Sequence, residues 1–445
     1  MSQQPGPDRK TTDAAAATGS RLDSYVDRYA TRTHGMTASE VRSLFSVAAR
    51  PEVVSLAGGM PNISGLPLDV VGSMMHELVD RRGMSALQYG SGQGDPELRE
   101  QICTVMQPTG ISAHPDDVTV TVGSQQALDL VTRIFIDPGD VILAEAPSYV
   151  GALGTFRSYQ ADVVHVEMDD DGLIPERLRE AITSVEASGR RIKFLYTIPN
   201  YHNPAGVTLT ESRRAEILEI CRRADVLIIE DDPYGLLGFD GEVPRAMRAD
   251  DTERVVYLGS FSKTFAPGFR VGWALAPHAV REKLVLAAEN SVLCPPAFSQ
   301  LAVSEYLSGH DWMGQVKEFR ESYRERRDAM LDALDDLMPE AAHWTRPTGG
   351  FYIWLTLPEG IDVKAMLPRA VTNRVAYVPG TAFFADGFGS RSMRLSYCYP
   401  TPERIREGVR RLAQVVEQEM ELRATFGAWA SPRRPGLDGP APDQS

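Results

Sequence analysis

Short apolar runs alternate with amphipathic segments from about residue 67 to residue 300. Seven runs predict strands: Val118–Val122, Val141–Leu143, Val163–Val166, Phe194–Tyr196, Val226–Ile229, Val255–Leu258 and Val271–Leu275. Helices are predicted between most of them, for instance at Gln125–Phe135, Tyr149–Tyr159, Pro175–Val185 and Thr210–Ala224. Unalternated apolar strands separated by helices are typical of parallel sheets covered on both faces. The pattern therefore predicts an α/β fold, a three-layer sandwich with a mainly parallel seven-stranded sheet.

The regular alternation of predicted strands and helices ends at about residue 296, and the sequence beyond it predicts a second, smaller α+β domain. Its predicted elements are a helical region at Ala297–Leu337, strands within Gly349–Leu355, Val375–Val378 and Met393–Tyr397, and helices at Val363–Val371 and Pro402–Leu422. Both chain ends are poor in bulky apolar residues and are expected to be disordered. We divide the chain into a disordered N-terminus (1–20), an N-terminal segment (21–66), a large domain (67–300), a small C-terminal domain (301–425) and a disordered tail (426–445).

Charge and cysteine usage narrow the functional classes. The net charge of −14 argues against general nucleic-acid binding, which needs a surface rich in Lys and Arg. The sequence has no run of 18 apolar residues and no secretory signal, so we expect no membrane partner. The four cysteines are widely spaced and form no C-x-x-C pattern. We therefore expect a reduced, cytoplasmic protein without a metal site.

One strand end carries a lysine in a distinctive setting. The run Val255–Leu258 leads into Gly259-Ser260-Phe261-Ser262-Lys263-Thr264, a loop of small hydroxyl residues. The chain contains six lysines, and Lys263 alone follows a predicted strand among small polar residues. Such a position can partly desolvate an amine and aim it at a carbonyl, as Schiff-base chemistry requires.

Several interpretations compete for this loop. A phosphate-binding P-loop fails because Ser262, not glycine, precedes the lysine. The S-x-x-K pattern of penicillin-binding enzymes fits Ser260 and Lys263, but its companions S-D-N and K-T-G occur nowhere in the chain. A third interpretation is a pyridoxal-phosphate lysine, with Ser260, Ser262 and Arg270 holding the phosphate. The fourth is an ordinary surface loop, and this stretch alone does not decide among them.

Two other strand ends offer groups that suit a phosphorylated pyridine. Ser124 and Gln125 open a predicted helix, and a helix N-terminus with a serine hydroxyl can cradle phosphate, although taken alone this pattern favours an ordinary helix cap. Tyr149 follows the second predicted strand, where its ring could stack on a pyridine. The sequence thus places a phosphate site and an aromatic wall at the same end of the sheet.

The next two strand ends add an amide and a carboxylate. Asn203 lies in a turn-rich loop, and its amide can donate to a phenolate oxygen. His202 beside it is interpreted as a neighbour and not as a catalyst. Asp231 follows a buried strand, where a carboxylate costs free energy unless it meets a cation, and a pyridinium nitrogen would be one.

These motifs together resemble the fold-type I, class I/II aminotransferases, which depend on pyridoxal 5'-phosphate. The likeness is carried by Asn203-Pro204-x-Gly206, Asp231-x-x-Tyr234, Ser260-x-Ser262-Lys263 followed by Arg270, and Arg394 in Met393-Arg394-Leu395. The stretches Leu56–Asn62 and Glu230–Tyr234 resemble in particular the 2-aminoadipate, kynurenine and other broad-range aminotransferases. The likeness spans about residues 30 to 420, with the motifs in the expected order.

The resemblance implies an enzyme that exchanges an amino group between an L-amino acid and a 2-oxo acid. Glutamate and 2-oxoglutarate are the expected shared pair, and the second substrate is 2-aminoadipate-like, aromatic or aliphatic. Lys263 would form the Schiff base and move the proton, Asp231 would pair with the ring nitrogen, and Tyr234 would hold the phenolic oxygen. The remaining assignments are Ser124, Gln125, Ser260, Ser262 and Arg270 to the phosphate, Tyr149 to the ring face, Asn203 to both cofactor and substrate, and Arg394 and Gly59 to the substrate.

The resemblance also implies a homodimer and a mobile N-terminal segment. Tyr89 would reach the partner subunit's active site, and the N-terminal segment would pack on the active site and the small domain. An amphipathic pattern from Thr37 predicts a helix in that segment, followed by a short strand near Val54. Arg42 on this helix would meet a substrate's side-chain carboxylate, or would lie solvated on the outer helix face.

Two other functions stay open at this stage. A pyridoxal-phosphate lyase or decarboxylase can use the same fold, because a fold does not fix the reaction. An aminotransferase-like domain also occurs in transcription regulators, where it is fused to a winged-helix DNA-binding domain. Such a fusion needs an extra basic N-terminal domain, and only about 50 residues precede Leu56.

Overall fold

The computed structural model describes residues 25–36 and 50–426 of the chain. Its large sheet contains eight strands: β2 (Val118–Thr121), β3 (Val141–Ala146), β4 (Asp162–Asp169), β5 (Gly172–Leu173), β6 (Ile192–Thr197), β7 (Leu227–Asp231), β8 (Val255–Ser260) and β9 (Gly272–Leu275). Their order in the sheet is β2-β9-β8-β7-β6-β3-β4-β5. All seven predicted strands are confirmed, and the two-residue β5, which pairs back on β4, adds an eighth.

The sheet is mainly parallel, as the sequence predicts. Strands β3, β4, β6, β7 and β8 run in the same direction, whereas β9 runs antiparallel to both β2 and β8. Every residue of β8 is buried, which fits a central strand with helices over both faces. Because β7 and β8 are parallel neighbours, their carboxyl ends at Asp231 and Ser260 lie at the same edge of the sheet.

Eleven α-helices occur in the described residues. They are α1 (Leu68–Ala86), α2 (Pro96–Met106), α3 (Ser124–Phe135), α4 (Val150–Ser158), α5 (Pro175–Ala187), α6 (Glu211–Arg223), α7 (His278–Val292), α8 (Ala297–Gly309), α9 (Trp312–Leu337), α10 (Val363–Thr372) and α11 (Pro402–Phe426). The predicted helical region at 297–337 is broken where the Asp311 side chain accepts a hydrogen bond from the Gly314 N–H and caps α9. Within residues 25–36 and 50–426, no helix is long and apolar enough to cross a membrane.

The chain also forms a second sheet, which has four antiparallel strands. Its strands are β10 (His343–Trp344), β11 (Tyr352–Thr356), β13 (Val378–Pro379) and β14 (Ser392–Ser396), in the order β10-β11-β14-β13. A separate parallel pair joins β1 (Val54–Ser55) to β12 (Val375–Ala376), so a strand that precedes the large sheet is bonded to the region that follows it. The single strand predicted at 375–378 is therefore two short strands.

The domain boundaries drawn from the sequence stay a prediction, and the helix predicted from Thr37 lies outside the described residues.

Candidate active site

A cavity of about 380 Å³ opens at the carboxyl ends of β7 and β8. Loops from the large sheet form one side of it, and side chains of β11 and β14 form the other. Of the residues singled out from the sequence, those that line the cavity are Gly59, Ser124, Gln125, Tyr149, Asn203, Asp231, Tyr234, Ser260, Ser262, Lys263, Arg270 and Arg394. Residues that are far apart in the sequence, such as Gly59 and Arg394, thus share one pocket.

Lys263 projects into this cavity from the loop that follows β8. Its Nζ donates a hydrogen bond of 2.9 Å to the Gly59 carbonyl and lies 5.6 Å from the centroid of the Phe351 ring. Burial lowers the pKa of this lysine to about 8, and the positive charges of Arg394 and Arg270 act in the same direction. An unprotonated amine, the form that attacks carbonyl groups, is therefore more accessible here than on a solvated lysine.

Asp231, the last residue of β7, presents one unsatisfied oxygen. The Tyr196 hydroxyl donates a hydrogen bond of 2.8 Å to Oδ2, whereas Oδ1 is buried and has no hydrogen-bond partner in the described protein. Burial raises the pKa of this carboxyl to about 7, against the opposing hydrogen bond from Tyr196. A buried carboxylate of this kind is stabilised when a cation meets it, and Oδ1 is the oxygen left for that contact.

Small hydroxyl groups and an arginine form an anion cradle beside the lysine. Ser260 Oγ contacts Ser262 Oγ at 2.9 Å, and Arg270 Nη1 lies 3.4 Å from Ser262 Oγ. Gly123, with φ at +73°, precedes the first residue of α3, and a Cβ there would lie 2.5 Å from Arg270 Nη2. Glycine is thus required for the arginine to lie against the N-terminus of α3, where free N–H groups favour an anion.

Tyr149 forms an aromatic wall of the pocket. Its hydroxyl donates to Gln125 Oε1 at 3.3 Å, and Gln125 Nε2 donates to Thr155 Oγ1 at 2.9 Å. Burial raises the pKa of Tyr149 to about 12. The ring therefore stays uncharged near neutral pH and can pack on a flat ligand. Gln125 lines the cavity, but its amide is engaged by these two side chains.

Arg394 of β14 is held from three sides. Its Nη1 donates to Asn203 Oδ1 at 2.9 Å, and its Nη2 donates to the Ala57 carbonyl at 2.8 Å. The guanidinium stacks on Tyr352, with Cζ 4.2 Å from the ring centroid. Because these contacts fix the plane of the guanidinium, it is preorganised to bind a carboxylate.

Two tyrosines to which the sequence assigns no site role contribute to the site, one in the cavity wall and one behind it. Tyr352 lines the cavity, and its ring lies edge-on to that of Tyr234, with the two ring centroids 6.1 Å apart. Its hydroxyl also lies so close to Gly59 that no Cβ could be added there. Tyr196 ends the predicted strand Phe194–Tyr196, and its hydroxyl is the hydrogen-bond partner of Asp231. The polar tip of a tyrosine at the end of an apolar strand was the available signal.

One predicted site residue lies away from this cavity, and another lies outside the described residues. Tyr89 lies at the surface with 77% of its area exposed, away from the pocket lining. Arg42 lies outside the described residues, so its role stays a prediction. Among residues 25–36 and 50–426, no group of three or more His, Cys, Asp or Glu side chains could hold a metal ion.

The residues present fit pyridoxal phosphate. An anion cradle suits the phosphate, the unsatisfied Asp231 Oδ1 suits a protonated ring nitrogen, and the amine of Lys263 suits the aldehyde. A cofactor with a flat ring would also meet Tyr149. Each feature alone could serve another ligand, but together they match the phosphate, the ring nitrogen, the aldehyde and the ring face of pyridoxal phosphate.

Comparison with known proteins agrees with this fit. The sequence profile of the family described as Aminotransferase class I and II matches residues 53–412. Aromatic-amino-acid aminotransferase 1 of Thermococcus litoralis is 43% identical over 400 residues, which cover 89% of this chain and 96% of that protein. The structure of Pyrococcus horikoshii kynurenine aminotransferase in complex with PMP has a TM-score of 0.85 at 40% identity, and the match covers 89% of this chain and 98% of that one.

A third relative carries a cofactor adduct. The alpha-aminoadipate aminotransferase of Thermus thermophilus, complexed with N-(5'-phosphopyridoxyl)-L-leucine, has a TM-score of 0.83 at 33% identity, and the match covers 90% of this chain and 100% of that one. The recognition of the family, the fold class and the cofactor from the sequence is thus confirmed. The chain belongs to the class I and II aminotransferases and is a pyridoxal phosphate-dependent transaminase.

Proposed function

We propose that this aminotransferase uses glutamate and 2-oxoglutarate as one substrate pair, and a 2-aminoadipate-like, aromatic or aliphatic amino acid as the other substrate. The relatives named above act on aromatic amino acids, kynurenine and alpha-aminoadipate, according to their names. Arg394, which every α-amino acid would meet by its carboxylate, supports a broad choice of side chain. We place the enzyme in the cytoplasm.

The observation that carries the proposal is that Lys263 and the unsatisfied Oδ1 of Asp231 line the same cavity. When bound, pyridoxal phosphate supplies a ring that draws electron density away from the substrate Cα. Lys263 Nζ would hold the cofactor at rest and, once released by the substrate amine, would move the proton between the substrate Cα and the C4′ carbon of the cofactor. Asp231 keeps the ring nitrogen protonated by accepting its N–H.

The remaining residues bind and orient. Asn203 and Tyr234 donate hydrogen bonds to the phenolic oxygen of the cofactor, while Arg394 takes the substrate α-carboxylate in a bidentate pair. The Gly59 backbone closes the substrate side of the pocket. The phosphate is bound by Ser124, Gln125, Ser260, Ser262 and Arg270, and the ring face by Tyr149.

The N-terminal segment is proposed to complete the substrate pocket. The short 3-10 turn Thr31–Gly35 packs against α4, whose first residues, Val150 and Gly151, line the cavity. A described part of the N-terminal segment thus packs on a helix that borders the site. We assign Arg42 to the side-chain carboxylate of a dicarboxylic substrate, because such a substrate needs a second cation beside Arg394.

We further propose a homodimer in which Tyr89 reaches the partner subunit's site. Tyr89 follows Met84 and Leu87, which expose 89% and 75% of their area. Large apolar side chains exposed together mark association surfaces. Tyr89 is too exposed to serve its own subunit's pocket, and an interface at this end of α1 would bury it.

Borohydride reduction tests the proposal directly. The purified enzyme should show a visible cofactor band, and reduction followed by peptide mapping should place the adduct on Lys263. Lys263→Ala should lose both the band and transamination. An adduct on another lysine would overturn the assignment. A panel of amino donors with 2-oxoglutarate, with analysis of both products, identifies the second substrate and would reveal any lyase or decarboxylase reaction.

A further inference from the structure

A buried glutamate and a buried histidine lie behind the pocket, outside the roles proposed above. Glu145 is the second-to-last residue of β3, His202 lies in the loop after β6, and each exposes 1% of its area. His202 Nε2 lies 3.0 Å from Glu145 Oε2. Since Nε2 makes no aligned hydrogen bond with any described residue, this contact is mainly electrostatic.

Glu145 is surrounded by donors. The Thr197 hydroxyl donates to Oε1 at 2.7 Å, and the Ile198 N–H donates to Oε2 at 2.8 Å. An ionised carboxylate can only accept hydrogen bonds, and these partners are what a buried one requires. Ile198 also lines the cavity, so the carboxylate connects β3 to a wall of the active site.

The hydrogen bonds of His202 fix which ring nitrogen carries the proton. Its Nδ1 accepts from the Ala205 N–H at 3.2 Å, so the ring proton lies on Nε2, which faces Glu145. The His202 main chain is held as well, because its N–H donates to the Val207 carbonyl and its carbonyl accepts from the Gly206 N–H. The histidine is therefore fixed through both ring and backbone.

The residue that follows this histidine is Asn203. Its Oδ1 accepts from Arg394 Nη1, which leaves the amide N–H groups to point elsewhere in the pocket. Any shift of His202 moves Asn203, and through this hydrogen bond it also moves Arg394. On the other side, Glu145 stands four residues before Tyr149, so the same carboxylate anchors the strand end that carries the aromatic wall.

We propose that Glu145 and His202 are positioning residues for the loop that carries Asn203. Their contact fixes the direction of the Asn203 amide toward the phenolic oxygen of the cofactor and the orientation of Arg394 toward the substrate carboxylate. The inference rests on the roles proposed for Asn203 and Arg394. Neither Glu145 nor His202 lines the cavity, so each acts through its neighbours.

Two substitutions of His202 distinguish the effect of its polar contact with Glu145 from the effect of its side-chain volume. His202→Asn keeps an oxygen near the place of Nδ1 for Ala205 but is too short to reach Glu145, whereas His202→Gln can present an amide N–H to Glu145. Four quantities are measured for both holoenzymes and for Glu145→Gln: the dissociation constant of pyridoxal phosphate, the pH midpoint of its visible band, KM and kcat.

His202→Asn and Glu145→Gln should raise the pH midpoint and the KM of the amino donor, while His202→Gln stays close to the wild type. The midpoint rises because the deprotonated form of the bound cofactor relies most on donors to its phenolic oxygen. Loosening of this loop should lower kcat/KM by about 10- to 100-fold, as ångström-scale misplacement of binding groups does.

Glu230→Gln is the matched control. Glu230 is also fully buried, on strand β7, which β6 separates from β3, and accepts the N–H groups of Met247 and Arg248 at 2.9 and 2.8 Å. It does not line the cavity, so its substitution should leave the pH midpoint of the visible band and the KM of the amino donor unchanged. The inference is overturned if Glu145→Gln behaves in the same way, or if His202→Asn and His202→Gln give equal results.

Asn203→Ala distinguishes a failure of this inference from a failure of the proposed function. If Asn203→Ala shifts the pH midpoint and KM but the pair variants do not, the inference alone is wrong. If Asn203→Ala shifts neither, the role proposed for Asn203 is wrong and the inference falls with it. Should Glu145→Gln fail to fold, the two His202 variants still decide.

Discussion

Tyr196 donates a hydrogen bond of 2.8 Å to Oδ2 of Asp231, while Oδ1 of the same carboxylate finds no partner among the described residues. Burial raises the pKa of Tyr196 well above its ordinary value, so the hydroxyl keeps its proton and remains a donor. One oxygen is thereby held in place and the other faces the cavity. The protein orients the carboxylate before any ligand arrives, and the orientation has consequences for stability.

Asp231→Asn should stabilise the enzyme without cofactor above pH 7. Because the pKa of Asp231 is raised from 3.8 to about 7, the folded apoenzyme binds a proton that the unfolded chain releases between these values, and stability falls as the pH rises through this window. At pH 8 the buried charge costs on the order of 4 kcal/mol, which the asparagine removes. Thermal unfolding of both apoenzymes should show the variant's advantage at pH 8 and a smaller one at pH 5.

The loaded Asp231→Asn enzyme should be impaired, because the ring nitrogen loses its counter-charge. Turnover should fall by about 100-fold or more, the scale on which transition-state electrostatics act. Asp232→Asn is the control, since Asp232 is equally buried but accepts from the Tyr257 hydroxyl and does not line the main cavity. If Asp232→Asn abolished turnover and Asp231→Asn did not, the neighbouring carboxylate would be the true partner.

Apoenzyme should take up pyridoxal phosphate fastest above pH 8. Burial lowers the pKa of Lys263 to about 8, and the unprotonated amine is the nucleophile. Stopped-flow measurement of the growing visible band should give a rate that rises between about pH 7 and 9 and then levels off. A rate that kept rising toward about pH 10, as expected of a solvated lysine, would contradict the burial of this amine.

Arg394→Lys should lower kcat/KM for α-amino acids while sparing donors that lack a carboxylate. A lysine retains the charge but loses the bidentate geometry and the contact with Asn203. A loss of about 1.5–3 kcal/mol, roughly 10- to 150-fold in kcat/KM, is expected. The comparison pairs each amino acid with its decarboxylated amine. Arg326→Lys, a buried arginine on α9 outside the cavity, should affect neither class.

Arg42→Ala should raise KM for glutamate and 2-oxoglutarate but not for an apolar or aromatic donor. The reason is charge pairing with the side-chain carboxylate, which only dicarboxylic substrates carry; its loss should cost about 1.5–3 kcal/mol. Arg50→Ala, at an exposed arginine near the start of the described chain, provides the comparison. Equal KM changes for both kinds of substrate, or no change, would mean that Arg42 is a solvated surface residue without a role in substrate binding.

The large sheet could be predicted because buried parallel strands have a plain sequence signal. Strands β3, β6, β7 and β8 each contain an unbroken run of at least three apolar residues, which is the signal of a strand buried on both faces. The two-residue strands β5 and β10 carry no such signal, since their pairing depends on neighbours brought close by the chain. The long helical region 297–337 was divided only by the local cap at Asp311.

The site could be predicted where it follows from sheet topology. Asp231 and Lys263 stand at or just beyond the ends of parallel neighbours, so the order of strands alone brings them together. Tyr352 could not be found this way, because it reaches the pocket from a strand of the other sheet. Its position depends on how the two sheets pack, which no local pattern encodes.

The bond from Arg394 to Ala57 joins residues 337 positions apart, and β1 likewise pairs with the distant β12. During synthesis the chain emerges from its N-terminus, so the segment that contains Gly59 is made well before Arg394, to which it bonds through Ala57. The eight-stranded sheet, by contrast, has all of its strands once Leu275 has been added. A nascent chain therefore passes through a stage in which the cofactor lysine stands in an open half-site, and the pocket is completed only as the final strands leave the ribosome.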